Sequence, residues 1–179
     1  MIVDNRLSFA RQVASPNYSE REDASALELL VLHNISLPPG CYGGGYIEDF
    51  FSNRLDINAD PYFQEIAQLR VSAHLLIERD GGVVQFVPFD KKAWHAGKSN
   101  FCGRENCNDF SIGIELEGCD EEPFTRQQYE RLAQVLNLLM AEYPLITPDR
   151  MVGHSDIAPG RKTDPGPFFD WDRLRAACA

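Results

Sequence analysis

The sequence predicts an α/β fold, a central mixed β-sheet flanked by helices, from three observations: an unbroken apolar run, a period-2 strand and a long amphipathic helix. The run is Leu29 to Leu32, which reads as a strand buried on both faces with the polar His33 at its exit. Ser111 to Glu117 supplies the period of 2, because Ile112, Ile114 and Leu116 share one face while Ser111, Gly113, Glu115 and Glu117 share the other. The first face packs; the second faces a site or solvent. In Thr125 to Tyr143, residues Tyr129, Leu132, Ala133, Leu136, Leu139, Met140 and Tyr143 repeat at the spacing of a core-facing helical stripe. Thr125 with Gln128 forms its capping box, and Pro144 stops it.

The remaining elements follow in chain order. Pro38 to Gly45 is a flexible loop by composition, and Tyr46 to Ser52 is a short helix. Val71 to Glu78 alternates as a strand, and Asp80, Gly81 and Gly82 turn it back into an antiparallel partner over Val83 to Val87. Gly153 to Gly166 is too rich in Pro and Gly for helix or sheet, so a loop is expected there. Asp170 to Ala177 is a last helix with Trp171 and Leu174 facing inward. No repeat or linker interrupts the 179 residues, and a single domain over 1–179 is expected.

Composition narrows the function classes. Seventeen Lys and Arg against 27 Asp and Glu give a net charge of -10, a field that repels nucleic acid and anionic membranes. Residues 1–18 contain Asp4, Arg6 and Arg11 and no apolar run of signal-peptide length, so a cytoplasmic location is expected. Five cysteines at irregular positions (41, 102, 107, 119 and 178) make a poor disulfide framework and read as thiols.

Candidate chemistry concentrates at His33 and in the segment GHSDIAPGRKTDPG at 153–166. His33, His154 and Asp164 together supply two imidazoles and one carboxylate, and three protein ligands with one open position is the arrangement of a catalytic zinc. His74, inside a sheet face, and His95, beside Trp94, read as packing or substrate-surface residues. Two rival chemistries fail. An iron triad built on His154 and Asp156 needs a second His downstream, and none follows; a nucleophile elbow at Ser155 has Ile157 where Gly is required. A zinc cluster of Cys102, Cys107 and Cys119 lacks a fourth ligand.

Five segments in one order carry a family resemblance: LLVLHNIS at 29–36, RVSAH at 70–74, WHAG at 94–97, CNDFSIGIELEG at 107–118 and GHSDIAPGRKTDPGPFFDW at 153–171. Together they resemble the zinc-dependent N-acetylmuramoyl-L-alanine amidases of the amidase-2 family, whose fold is that of the peptidoglycan-recognition proteins. The resemblance implies one zinc ion per chain on His33, His154 and Asp164, a general base at Glu115 and an oxyanion stabiliser at Lys162. It also implies a substrate wall of Asn34, Arg70 and Trp94, with Trp94 as an apolar plate and Arg70 as partner for a peptide carboxylate. Where the family pattern carries a basic residue this chain has Asn106, with Arg104 as the alternative cation. Gly113 either clears room for substrate beside Glu115 or marks a bulge. The implied activity is hydrolysis of the amide between (1,6-anhydro) N-acetylmuramic acid and the L-alanine of its stem peptide, in cell-wall recycling. The implied partner is a small soluble anhydromuropeptide, met by a monomer. The competing readings are an amidase of intact peptidoglycan and a non-catalytic recognition module on the same fold.

Overall fold

The structure, a computed structural model, describes residues 1–178. Its strands in chain order are β1 (Ile2–Val3), β2 (Arg6–Leu7), β3 (Arg11–Gln12), β4 (Tyr18–Glu20), β5 (Leu29–Ile35), β6 (Leu75–Ile77) and β7 (Val83–Gln85). They continue with β8 (Lys91–Ala93), β9 (Asn100–Phe101), β10 (Arg104–Glu105), β11 (Ser111–Glu117) and β12 (Met151–Gly153). The α-helices are α1 (Tyr46–Phe51), α2 (Pro61–Ile66), α3 (Arg126–Glu142), α4 (His154–Ile157) and α5 (Trp171–Ala177).

Six strands form the central sheet in the order β12-β5-β11-β6-β7-β3. Only the β6–β7 hairpin is antiparallel, so the sheet is mixed, as expected. Being central and parallel, β5 and β11 are buried nearly throughout, which is why β5 reads as an apolar run. One sheet face, with Leu30, Leu32, Ile112, Ile114 and Leu116, packs on the stripe of α3 and on Leu174 of α5. Helix α3 carries both bonds of the Thr125–Gln128 capping box. The buried Gln128 amide then donates to Ile77 O and Glu117 O, tying the helix start to two strand ends.

The opposite sheet face is covered in two patches. Helices α1 and α2 pack Ile47, Phe51, Phe63 and Ile66 over Leu76, Val84 and Phe86. Ala96, Cys107, Phe110 and Ile157 pack over Leu29 and Val31. Between the patches lies a cleft of ≈ 810 Å³ at the carboxyl ends of the parallel strands, where open α/β sheets place their ligands.

Several expectations shift. The strand expected over Val71 to Glu78 is confined to Leu75–Ile77: Ser72 N–H turns away to donate to Trp94 O, while His74 N–H still reaches Gly113 O of β11. The 153–166 segment is not all loop. Gly153 ends β12, and His154 opens the single helical turn of α4, closed by Asp156 accepting from Gly153 N–H. The loop flexible by composition is tied down, with Gly40 N–H donating to Ser36 Oγ, Gly43 N–H to Glu117 Oε1, and the Tyr42 hydroxyl bonded to Glu122 and Cys119. All five cysteines are free thiols.

Candidate metal centre

Sheet register assembles the site. Leu32 of β5 lies opposite Gly153 of β12, and His33 lies opposite Glu115 of β11. His154, His33 and Glu115 therefore stand in a row across three adjacent parallel strands, about 5 Å apart from strand to strand. Asp164 returns to this row on the loop after α4, where its carbonyl accepts from Ser155 N–H. Gly153 permits the return, since a Cβ there would stand 2.8 Å from Pro165 Cδ.

The three candidate ligand atoms converge. His33 Nδ1 lies 3.0 Å from His154 Nδ1 and 2.9 Å from Asp164 Oδ2, and His154 Nδ1 lies 3.0 Å from that same oxygen. The far nitrogen of each ring has a partner on the other side. His154 Nε2–H donates to Ala96 O at 3.0 Å, and His33 Nε2 lies 2.9 Å from Nδ1 of His95, whose own Nε2 lies 3.2 Å from Ser111 Oγ. Burial of His33 drives its pKa down to about 4, so the ring is neutral at physiological pH. Two ring nitrogens and a carboxylate oxygen thus face one point. A cation there satisfies all three, and the two-His, one-Asp donor set suits zinc with an open position.

Glu115 is buried beside them, and its Oε2 has no hydrogen-bond partner among the described residues. Burial, then the Asp164 charge, pushes its pKa well above the usual carboxylate range, with Lys162 opposing. Lys162 is exposed at the cleft mouth. The cleft is lined by His33, Asn34, Trp94, Glu115, His154, Lys162 and Asp164. Asn34 Nδ2 donates to Asp120 Oδ1 at 2.7 Å, and the Trp94 indole N–H donates to Ser19 Oγ, fixing the ring plane.

Arg70 is not brought to this wall. It is exposed, and its guanidinium bonds Ala67 O and Leu69 O within its own turn, while its neighbours Leu69 and Val71 line the cleft. Arg104 also lies elsewhere, paired with Glu28 at 2.5 Å and stacked on Phe110. Gly113 neither clears space for substrate nor marks a bulge: β11 pairs in unbroken register, and the space over Gly113 belongs to the His95 ring. The supporting role of His95 escaped the sequence reading; its one signal was its place in WHAG. Asp120 and the apolar lining residues Phe50, Tyr62 and Leu69 left no local signal.

Known proteins resemble this chain in sequence and in fold. A 1,6-anhydro-N-acetylmuramyl-L-alanine amidase, AmpD of Haemophilus influenzae, is 57% identical over 167 residues, covering 93% of this chain and 91% of the relative. The crystal structure of a selenomethionine AmpD derivative superposes with a TM-score of 0.97 at 57% identity, covering 100% of this chain and 99% of the other. The E. coli amidase AmiD, solved with the substrate anhydro-N-acetylmuramic acid-L-Ala-D-gamma-Glu-L-Lys, has a TM-score of 0.63 at 31% identity over 85% of this chain and 57% of its own. Residues 23–167 match the family model described as N-acetylmuramoyl-L-alanine amidase, and the chain belongs to that family.

Proposed function

We infer that this chain is a zinc-dependent amidase of peptidoglycan recycling. It hydrolyses the amide bond between 1,6-anhydro-N-acetylmuramic acid and the L-alanine of the stem peptide. The observation that carries the chemistry is the convergence of His33, His154 and Asp164 on one point beside a buried, unpaired Glu115 carboxyl. Support for the substrate comes from the relatives' activity and from the anhydromuropeptide bound by AmiD.

When held by His33, His154 and Asp164, zinc supplies a Lewis acid that polarises the amide carbonyl and makes the attacking water more acidic. Glu115 takes the proton of that water and delivers it to the departing alanine nitrogen. A carboxyl held above its usual pKa range is a stronger base than an ordinary carboxylate, which suits it to take the proton and carry it between the two steps. The Lys162 ammonium neutralises the charge that grows on the carbonyl oxygen. Asn34 and Trp94 line the floor and wall against which the substrate is held. The whole chain serves as one catalytic domain, a monomer acting in the cytoplasm on small soluble fragments; the exposed thiols of Cys41 and Cys102 suit that reducing compartment.

The test is incubation with anhydro-N-acetylmuramyl tripeptide and mass detection of released peptide. It is run beside the non-anhydro counterpart and insoluble wall. The anhydro substrate is expected to react with a kcat/KM at least about tenfold higher than its counterpart, or about 1.4 kcal/mol in transition-state binding. Equal or better release from intact wall makes the chain a wall-degrading amidase instead.

A further inference from the structure

We propose that Asn108 is a positioning residue for both imidazole ligands, acting through the single peptide segment His95–Ala96. The two histidines are supported by neighbouring residues of that segment: His33 Nε2 pairs with Nδ1 of the His95 ring at 2.9 Å, and His154 Nε2–H donates to the Ala96 carbonyl at 3.0 Å. The segment belongs to no strand or helix, so no ladder holds its amides. They are held instead by one side-chain atom. Asn108 Oδ1 accepts from His95 N–H at 3.1 Å and from Ala96 N–H at 2.8 Å.

Asn108 is itself anchored. It sits in the turn Cys107–Asp109, whose Asn108 and Asp109 carbonyls each accept from Arg21 Nη1 at 2.9 Å, and Arg21 Nη2 reaches Ser111 O at 2.6 Å. On the far side, Arg161 Nη2 donates to Ala96 O and Lys98 O. The Ala96 carbonyl and the His95 ring are therefore fixed from two directions, and with them the tautomer and tilt of both metal-facing rings. Supports of this kind on a metal-binding histidine are generally worth a 10–100-fold change in metal affinity. One side chain that governs two ligands concentrates that effect at a position with no contact to either ring.

The proposal rests on the zinc reading above. The experiment measures zinc Kd by chelator competition and the visible spectrum of the cobalt(II)-loaded protein, with the melting temperature of the metal-free form as a control for folding. Asn108→Leu is expected to weaken zinc about 10–100-fold and to alter the cobalt bands. Asn108→Asp, which keeps an acceptor at Oδ1, is expected to restore both to about wild-type values. His95→Leu and His95→Asn form the second pair: the amide of the second variant returns an acceptor to the position of Nδ1, and is expected to recover what the first loses. If Asn108→Leu does not fold, the His95 pair decides. Wild-type zinc affinity with unchanged cobalt bands in the two leucine variants overturns the proposal, as does a loss that neither Asn108→Asp nor His95→Asn restores. A wild-type chain that binds no zinc overturns the metal reading itself, a separate outcome.

Discussion

Gly113→Ala tests whether the sheet surface beneath the metal centre is as crowded as its geometry implies. A Cβ built there stands 2.3 Å from His95 Cγ and 2.5 Å from its Cδ2 and Nδ1, well inside van der Waals contact. The strand cannot retreat, since Gly113 N–H donates to His74 Nδ1 and Gly113 O accepts from His74 N–H, with His74 fully buried. The ring must therefore move by about 1 Å or more, the gap to ordinary carbon contact distance. Its 2.9 Å contact with His33 breaks. Overpacking costs about 1–3 kcal/mol and an orphaned buried N–H about 1–3 kcal/mol, while the alanine regains about 0.5–1 kcal/mol of backbone entropy. The net loss is about 1–5 kcal/mol, a large share of a small domain's stability. Urea unfolding of the chelated protein reads it without contribution from metal. A variant as stable as wild type refutes the reasoning.

Further outcomes follow from the same geometry. Replacing His33, His154 or Asp164 by Ala abolishes both zinc retention after dialysis and peptide release; turnover by any of the three in a metal-free preparation contradicts the assignment. Glu115→Gln keeps zinc and loses about 100-fold or more in kcat, and in chelated form it unfolds at higher urea than wild type at pH 8, because it removes a buried carboxylate without a partner. Lys162→Ala also keeps zinc but loses about 100–1,000-fold in kcat. His74, held neutral by burial and the Arg21 charge, has its pKa lowered to about 3. The unfolded chain binds this proton below pH 6.5 and the folded chain does not, so this group alone costs chelated wild type up to about 1.4 kcal/mol per pH unit from 6.5 toward 3. His74→Gln shows a shallower slope in urea titrations across that range.

The legible parts of the fold were those whose physics is local. An apolar run marked β5, alternation marked β11, and the periodic stripe with its Thr125–Gln128 box marked α3 to within a residue. The short pairs β1–β2, β4–β8 and β9–β10 carry no period long enough to read, and α2 is a single turn and a half opened by Asp60 and Pro61. The cluster of His33, His154 and Asp164 was legible because polar residues at strand exits and in Pro-Gly loops stand out against apolar surroundings. His95 did not stand out: its role depends on Gly113, eighteen positions away in the chain, lacking a side chain, and on Ser111 receiving its far nitrogen. Arg70 shows the converse. Its motif matches, but the backbone carbonyls of Ala67 and Leu69 claim the guanidinium, and that competition is visible only in three dimensions.

The sheet explains how these side chains are held together. One nitrogen each of His33 and His154 and Asp164 Oδ2 lie within 3.0 Å of one another, beside a buried Glu115 oxygen with no hydrogen-bond partner among the described residues. Here two of the four side chains stand on β5 and β11, which pair along their full length, and the third opens the turn after β12, pinned by Ala96. The backbone positions of His33 and Glu115 cannot shift without breaking ladder bonds. Their placement is therefore set by the strands, with Asp164 brought in by the loop after α4. A cation bound at 100 times its Kd adds about 2.7 kcal/mol to stability through linkage alone. The same rigidity keeps the Glu115 carboxyl beside the metal point, at a position where it can only exchange protons with what enters the cleft.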